Sequence, residues 1–272
     1  MSLKEFDLTG KSAVVMGGGR GIGKGIALTL AEAGADVLVA ARTNQEILET
    51  AAEIGQLGCK GLAVAADATK SSEIDHVISV AIKEFGKIDI LVNSAGAGLR
   101  KPIVPLPGYK AGEWAGGRKD ISLPVTDLQW QQLIDANMTS IFLATRAVGL
   151  HMLERKKGKI INISSMTGAK GFPTEVIYCT TKAAVIMYTR ALALEWARYH
   201  INVNSIAPGY VETEMTSQFF DNEKTKERLL SSVPLRRLCQ PREVGLLAVY
   251  LASEASDYLT GQAIYLDGGI LA

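Results

Sequence analysis

Seven short runs rich in aliphatic and β-branched residues recur along this chain, at 12–16, 37–41, 61–66, 88–92, 159–163, 202–206 and 263–266. Longer stretches of helical periodicity separate them, at roughly 22–33, 44–57, 71–86, 126–155, 177–198 and 241–252. The runs are apolar on both faces, so strands built from them need cover on both sides. A helix between each pair of strands supplies that cover when the strands are parallel. The expectation is one α/β domain over residues 1–272, a doubly wound parallel sheet of about seven strands with helices on both faces. Right-handed crossovers then bring every strand's C-terminal end to one edge, where ligands bind in such sheets. The chemistry of the chain is therefore to be sought just after each strand.

Composition narrows the class of partner. The 272 residues are 47% hydrophobic, enough for one large core, and 29 lysines and arginines balance 28 acidic residues. That balance gives no broad electrostatic attraction to nucleic acid or an anionic membrane, and points to small-molecule chemistry. Cys59, Cys179 and Cys239 are too scattered for a zinc site or a disulfide framework, so no metal is expected and a reducing compartment fits. The first ten residues are polar and mixed in charge, and nothing reaches about 18 uninterrupted apolar residues, so the expectation is a cytoplasmic protein. One segment breaks the rhythm: 98–126 carries Pro102, Pro105, Pro107, Pro124 and five glycines. A loop of this length in a compact domain usually has a function.

The first strand runs straight into Gly17-Gly18-Gly19-Arg20-Gly21-Ile22-Gly23. Glycines at such a strand-to-helix turn permit a tight reversal and let backbone approach a pyrophosphate. The amides of the following helix N-terminus then face the anionic oxygens. A plain tight turn is the bland alternative. Four further elements follow: Asn93-Ser94-Ala95-Gly96 after the fourth strand, Asn137 inside the long helical pattern, Ser164-Ser165 after the fifth strand, and Tyr178 four residues before Lys182. Residues at i and i+4 share a helical face, so an ammonium at Lys182 lies about one turn from the Tyr178 phenol and favours its phenolate. A tyrosine with an ordinary pKa of about 10 needs such help to act as a base near neutral pH. On its own, Tyr-x-x-x-Lys reads as a solvated surface pair, and Asn137 reads as a kink or a buried hydrogen-bonding residue.

Taken together these elements resemble the classical short-chain dehydrogenase/reductase family, and the likeness runs over nearly the whole chain. Gly17-x3-Gly21-x-Gly23 looks like that family's TGxxxGxG turn, with Met16 in place of its threonine, and Asn93-Ser94-Ala95-Gly96 looks like its NNAG element. The resemblance implies a Rossmann-type fold and a nicotinamide-dependent oxidoreductase that interconverts a secondary alcohol and a ketone. Hydride transfer at a carbinol carbon needs a proton moved at its oxygen. The family gives that task to Tyr178, with Ser165 holding the substrate oxygen, Lys182 gripping the nicotinamide ribose and Asn137 supporting a water-linked proton path to Lys182. Ser165 lies thirteen residues before Tyr178, the family's spacing, whereas Ser164 does not and reads as a packing residue.

The same resemblance implies cofactor contacts at Gly17, Gly19, Arg20, Gly21, Ile22 and Gly23 in the turn. It adds Asp67 and Ala68 for adenine, Asn93, Ala95 and Gly96 along the adenosine ribose, Tyr178 and Lys182, and Pro208, Gly209, Val211 and Thr213 near the carboxamide. Asp67 can instead be a turn or helix-cap residue. An NAD site usually carries an acidic residue at the end of the second strand, but here Ala41-Arg42 stands there. An arginine matches a 2′-phosphate and no carboxylate in the segment repels it, so NADP(H) is favoured over NAD(H), with Arg20 as a second cation. Both arginines can equally be solvated surface residues.

Substrate choice in this family lies in a lid at about 214–235 and in loops near the fourth and fifth strands. Phe219 and Phe220 are candidates for an apolar wall, or for lid packing. The 98–126 segment is an insertion relative to the family, and Lys101, Tyr109, Lys110, Trp114, Arg118 and Lys119 make it basic and aromatic. It is expected to cover the site and to favour a sugar acid or polyol, with a 3-oxoacyl compound also compatible. Thr260-Gly261-Gln262 and Asp267-Gly268-Gly269 look like elements of tetrameric members, which implies a homotetramer. An NAD(H)-dependent dehydrogenase of the same family, a non-catalytic dinucleotide-binding protein and an epimerase or dehydratase are the competing readings. The chain lacks the extra C-terminal region of the last of these.

Overall fold

A computed structural model describes residues 3–107, 123–217 and 223–272 of the chain. Seven strands form one parallel sheet: β1 (Ser12–Met16), β2 (Asp36–Ala41), β3 (Gly61–Ala65), β4 (Ile90–Asn93), β5 (Gly158–Ile163), β6 (Ile201–Pro208) and β7 (Ala263–Leu266). Their order is β3-β2-β1-β4-β5-β6-β7. Helices α1 (Gly21–Glu32), α2 (Asn44–Gln56), α3 (Ser71–Phe85), α4 (Asp127–Ile134), α5 (Ser140–Arg155), α6 (Val176–Trp196), α7 (Glu214–Ser217), α8 (Glu223–Ser231) and α9 (Pro241–Ala252) complete the chain.

Successive side chains of each strand point to opposite faces, and that alternation builds two cores. Ala13, Val15, Val37, Val39, Val92, Ile161 and Ile206 face one layer with Ile26 and Leu30 of α1, Ile47 and Ile54 of α2 and Val244 and Ala248 of α9. Val14, Met16, Leu38, Leu91, Ile160 and Val203 face the other, with Ile74 and Val77 of α3, Val148 and Met152 of α5 and Trp196 of α6. All five residues of β1 are buried, as a central strand covered on both sides requires. Among them Val14, Val15 and Met16 each contribute about 1.5–3 kcal/mol through burial. The expected α/β architecture is therefore the observed one.

Most boundaries shift by a residue or two from the sequence reading, and three of the differences have a local reason. The fourth strand begins at Ile90 rather than Ile88, because the Ile88 amide donates to His151 Nε2 at 3.0 Å instead of to a neighbouring strand. The sixth extends to Pro208, whose partner in register is Leu266 of β7. The long helix expected over 126–155 is α4 and α5 joined by a π-helical turn at Asp135–Thr139. A Thr126–Gln129 capping box starts α4.

The strand order reverses direction between β1 and β4, which opens a crevice beyond their C-terminal ends. The turn after β1 and the segment after β4 meet there: the Ser94 amide donates to Met16 O at 2.9 Å, and the Gly17 amide to Ala40 O at 2.7 Å. Beyond β6, an isolated bridge between Val211 and Cys239 closes the base of the segment holding α7 and α8. The Cys239 amide donates to Tyr210 O and the Glu212 amide to Cys239 O, each at 2.9 Å. No helix among the described residues is long and apolar enough to cross a membrane.

Candidate active site

Glycine is required in the turn after β1 for steric reasons. Gly17 and Gly21 hold positive φ values of 79° and 54°. A Cβ on Gly17 would lie 2.7 Å from the Ala95 amide nitrogen, and one on Gly23 only 2.0 Å from Gly17 O. Backbone of the glycine turn and backbone of Ala95 are thus in direct contact. Arg20 occupies the N-cap of α1 and makes no side-chain cap, so no side chain takes up the first amides of that twelve-residue helix. Uncapped amides at a helix start, with an arginine beside them, fit a pyrophosphate. The site has the form that the expected dinucleotide demands.

Asn93 and Asn162 stand in register at the C-terminal ends of β4 and β5. Asn93 Nδ2 donates to Asn162 Oδ1 at 2.8 Å, Asn162 Nδ2 to Thr189 Oγ1 at 3.0 Å, and Thr189 Oγ1 to Val185 O at 2.8 Å. The Asn93 amide group therefore ties the sheet to α6, while Ala95 and Gly96 border the crevice. A Cβ on Gly96 would approach Asn137 Oδ1 to 3.0 Å and Lys182 Nζ to 3.5 Å. Gly96 is the point where the two side chains converge.

Ser164 and Ser165 end in different places. Ser164 Oγ donates to Ile206 O at 3.1 Å and accepts from Ser205 Oγ at 2.6 Å, entirely within the sheet. Ser165 Oγ accepts from the Thr167 amide at 3.2 Å, and the Ser165 side chain acts on the Tyr178 phenol in the direction that lowers it. The short turn that follows can approach α6 because Gly168 lacks a side chain: a Cβ there would lie 2.8 Å from Lys182 O and from Ile186 Cδ1. Gly168 had no distinguishing pattern in the sequence, yet it sets how closely Ser165 approaches Tyr178.

On α6, Lys182 Nζ sits 5.7 Å from the centre of the Tyr178 ring and donates to Ile163 O at 3.0 Å. Lys182 is 5% exposed, and burial alone pushes its ammonium down from 10.5 to about 8. Tyr178 keeps part of its surface open, but desolvation of its hydroxyl pushes it up to about 12, with the Ser165 hydrogen bond opposing and the Glu175 charge reinforcing the rise. Burial is the dominant influence on the phenol, which is therefore a proton donor in the cofactor-free chain.

Asn137 is fully buried in the π-helical turn. Its Oδ1 accepts from the Ala97 amide at 2.8 Å, and its Nδ2 donates to Ala97 O and to Thr181 Oγ1, each at 3.0 Å. Thr181 Oγ1 in turn donates to Tyr178 O at 2.8 Å. The side chain of Asn137 thus joins the segment after β4 to α6, and its Oδ1, which accepts one of these bonds, keeps a second acceptor lone pair. Thr181 was not foreseen as part of this link.

The remaining expected contacts are dispersed around the crevice. Pro208 and Gly209 follow β6, where the Gly209 amide donates to Leu266 O at 3.0 Å, and Val211 is buried beside them. Thr213 lies over the glycine turn, its Cγ2 3.4 Å from where a Gly21 Cβ would be, with Ile22 packed beneath at the start of α1. A Cβ on Gly19 would meet Glu46. Asp67 Oδ1 accepts from the Thr69 amide at 3.0 Å and from Thr69 Oγ1 at 2.8 Å, the turn arrangement that was its alternative reading, and Ala68 packs on the α3 side of the sheet. These bonds hold the Asp67 carboxyl below its usual range, with help from the charge of Arg42. Arg42 is exposed, and Arg20 NH1 lies 2.9 Å from Glu214 Oε2 and 3.6 Å from Glu46 Oε1. The segment reading that no carboxylate faces these arginines is therefore corrected: folding brings Glu46, Asp67 and Glu214 to them.

One ion pair was invisible in the sequence. Arg100 Nε donates to Glu175 Oε1 at 2.8 Å, and Arg100 NH2 also meets the same oxygen. Glu175 is the N-cap residue of α6, three positions before Tyr178, and its charge reaches both Tyr178 and Tyr210. The Lys101 amide adds a bond of 2.7 Å to Thr174 O, and Val125 N donates to Pro102 O at 2.9 Å, which closes the neck of the 98–126 segment. The candidate residues Tyr109, Lys110, Trp114, Arg118, Lys119, Phe219 and Phe220 lie outside the described residues.

Comparison with known proteins agrees with this geometry. The family described as enoyl-(acyl carrier protein) reductase matches residues 17–271. The chain is 35% identical over 266 residues to 5-keto-D-gluconate 5-reductase of Escherichia coli strain K12, covering 98% of this chain and 97% of that protein. It is 34% identical over 267 residues to a 3-oxoacyl-[acyl-carrier-protein] reductase of Vibrio cholerae, covering 97% and 99%. A crystal structure of a gluconate 5-dehydrogenase from Burkholderia cenocepacia, in complex with NADP and tartrate, superimposes with a TM-score of 0.85 at 34% identity, covering 98% and 97%.

Proposed function

The chain belongs to the short-chain dehydrogenase/reductase family, and on that premise we propose that it reduces the ketone of a sugar acid or polyol, or oxidises the matching secondary alcohol, with NADP(H). The observation that carries the reading is the buried Lys182 ammonium 5.7 Å from the centre of the Tyr178 ring on one helical face, beside a glycine cradle that fits a pyrophosphate, with the Ser165 side chain acting on the same phenol. When bound, the nicotinamide supplies or accepts the hydride. Tyr178 donates its phenolic proton to the forming alkoxide, or takes the alcohol proton in reverse, and Ser165 holds the same oxygen from its other side. Lys182 orients the nicotinamide ribose, and Asn137 keeps the Ala97 backbone and α6 in fixed relation. Gly17, Gly19, Gly21, Ile22 and Gly23 hold the pyrophosphate, Arg20 and Arg42 the 2′-phosphate, and Asp67 and Ala68 the adenine. Asn93, Ala95 and Gly96 follow the adenosine ribose, while Pro208, Gly209, Val211 and Thr213 line the carboxamide.

Two relatives whose names specify gluconates, one of them holding NADP, support the sugar-acid and NADP(H) choices. The Vibrio cholerae relative supports a 3-oxoacyl substrate as the second reading. The carboxylates Glu46 and Asp67 near the two arginines favour NAD(H) as the competing cofactor. The proposal extends to a single cytoplasmic domain that assembles as a homotetramer, with the 98–126 segment covering the site. The decisive experiment runs a panel of keto-acids, polyols and 3-oxoacyl thioesters against NADPH and NADH, for the wild type and Tyr178→Phe. Turnover of a sugar-acid ketone with NADPH, lost by at least about a thousandfold in Tyr178→Phe, is the expected result. A clear preference for NADH refutes the cofactor choice, and near-normal turnover by Tyr178→Phe refutes the mechanism.

A further inference from the structure

Arg20 is a cation already taken. It leaves the glycine turn at the start of α1, and its NH1 lies between two carboxylates from separate elements, Glu214 Oε2 of α7 at 2.9 Å and Glu46 Oε1 of α2 at 3.6 Å. Glu46 is held against the turn itself, since a Cβ on Gly19 would be 3.0 Å from Glu46 Cβ and 3.2 Å from its Oε2. The start of the lid is equally close, with Thr213 against Gly21. Arg42, after β2, has its own acidic neighbour in Asp67, after β3. A phosphate placed between Arg20 and Arg42 therefore meets their two guanidinium groups and the carboxylates of Glu46, Asp67 and Glu214, with the Lys70–Glu73 pair beside Asp67.

The three carboxylates are not equivalent. Asp67 has its Oδ1 bonded into the Thr69 turn and is fixed in place. Glu214 and Glu46 contact Arg20 from long, flexible side chains, and Glu214 is 75% exposed. A dianion brought to Arg20 can displace such partners, at the cost of the ion pairs it breaks. We propose that Glu46 and Glu214 are specificity-determining residues: they occupy Arg20 in the free chain, compete with a 2′-phosphate for it, and so set how strongly this protein prefers a phosphorylated dinucleotide. The exchange also links the cofactor to the lid, because Glu214 begins α7 and loses its partner when the phosphate takes Arg20. The inference rests on the reading that this crevice binds the adenosine end of a nicotinamide dinucleotide.

The test separates the two ideas. Isothermal titration calorimetry of the full chain with 2′,5′-ADP, which carries the 2′-phosphate, and with 5′-AMP, which does not, reports the contribution of that phosphate without any turnover. Exposed ion pairs of this kind are weak, so Glu214→Gln and Glu46→Gln are each expected to tighten 2′,5′-ADP by about two- to fivefold. They should leave 5′-AMP unchanged, and Arg20→Met should remove the gain in the double variants. If either glutamine variant tightens both ligands alike, or leaves 2′,5′-ADP unchanged, that residue has no such role. The wild-type ratio judges the NADP(H) reading on its own. A ratio near one that rises in the glutamine variants refutes NADP(H) preference and upholds the competition, whereas a high ratio that the variants do not move does the reverse.

Discussion

Replacing Lys182 by methionine should make the cofactor-free protein more stable while removing its activity. The side chain is 5% exposed, donates one hydrogen bond, to Ile163 O, and has no paired carboxylate among the described residues. Burial moves its ammonium from 10.5 down to about 8. At about 1.4 kcal/mol per pH unit, that displacement corresponds to roughly 3 kcal/mol of folding stability forgone at neutral pH. Methionine matches the length of the stem and restores that energy, but it leaves the Ile163 carbonyl without this donor, a loss of about 1 kcal/mol. The net gain is about 2 kcal/mol at pH 7, which for a chain of this size raises the melting midpoint by roughly 5 °C. The pH dependence fixes the cause. The folded pKa lies below the unfolded one, so between about 8 and 10.5 the unfolded chain binds more protons and wild-type stability rises with pH. The gap between Lys182→Met and wild type should be full below about pH 8 and close, then reverse slightly, by about 10.5. Thermal melts of both proteins across that range, followed by circular dichroism, read it directly. A variant that is less stable at pH 7, or a gap that does not change with pH, would falsify the reasoning.

Tyr178 is pushed up to about 12 in the cofactor-free chain, so alcohol oxidation, which needs the phenolate, should accelerate with pH above neutrality while carbonyl reduction does not. Steady-state rates in both directions across about pH 6–10 check this, and an oxidation rate independent of pH counts against Tyr178 as the base. Asn137→Ala removes three hydrogen bonds, one buried and two part-buried, and is expected to destabilise the chain by about 3 kcal/mol, read as a lower urea midpoint at unchanged m-value. An effect below about 0.5 kcal/mol would mean that Ala97 and Thr181 are held by other contacts. Arg100→Met strips Glu175 of its guanidinium partner beside Tyr178 and should lower kcat by roughly tenfold, with Glu175→Gln restoring most of it in the double variant. Additive losses in the double variant would instead assign the two residues independent roles.

The fold was legible because its signal is local: the runs at β1, β2 and β5 are apolar on both faces, and the helical patterns between them are long enough for right-handed crossovers. Boundaries failed where one distant side chain intervened, as when His151 takes the Ile88 amide and shortens β4. The π-helical turn at Asn137 left no mark in the periodicity, since one displaced peptide hardly shifts the apolar stripe. Asn93 and Pro208 end β4 and β6 and Ser165 lies just beyond β5, so the strand pattern in the sequence already brings them to one sheet edge. What the sequence could not reveal was pairing at a distance. Glu214 lies 194 positions from Arg20, and Glu175 lies 75 from Arg100. Reading only the segment after β2 made the arginines look unopposed, whereas the folded chain surrounds them with carboxylates.

Three departures from ordinary folding rules gather at one end of α6. Lys182 is buried without a counter-ion among the described residues, Thr174 holds a positive φ of 63° that a β-branched residue rarely adopts, and the half-buried Glu175 carboxylate sits at the N-cap of α6 without capping it. All three lie within nine residues, at the end of α6 that carries Tyr178. Strain of this sort persists only where surrounding structure over-determines it. Here the surroundings are identifiable: Lys101 N holds the Thr174 carbonyl, Arg100 holds Glu175, Thr181 holds the Tyr178 carbonyl, and Asn137 holds Thr181. Two of these four tethers come from the segment after β4 and a third passes through Asn137 to Ala97 in the same segment. The segment that departs from the α/β rhythm in the sequence is thus the one that fixes the reactive end of α6. Its neck acts on the position of Tyr178 whatever the rest of the insertion covers, and substitutions at Arg100 should therefore reach the chemistry before they alter which substrate is bound.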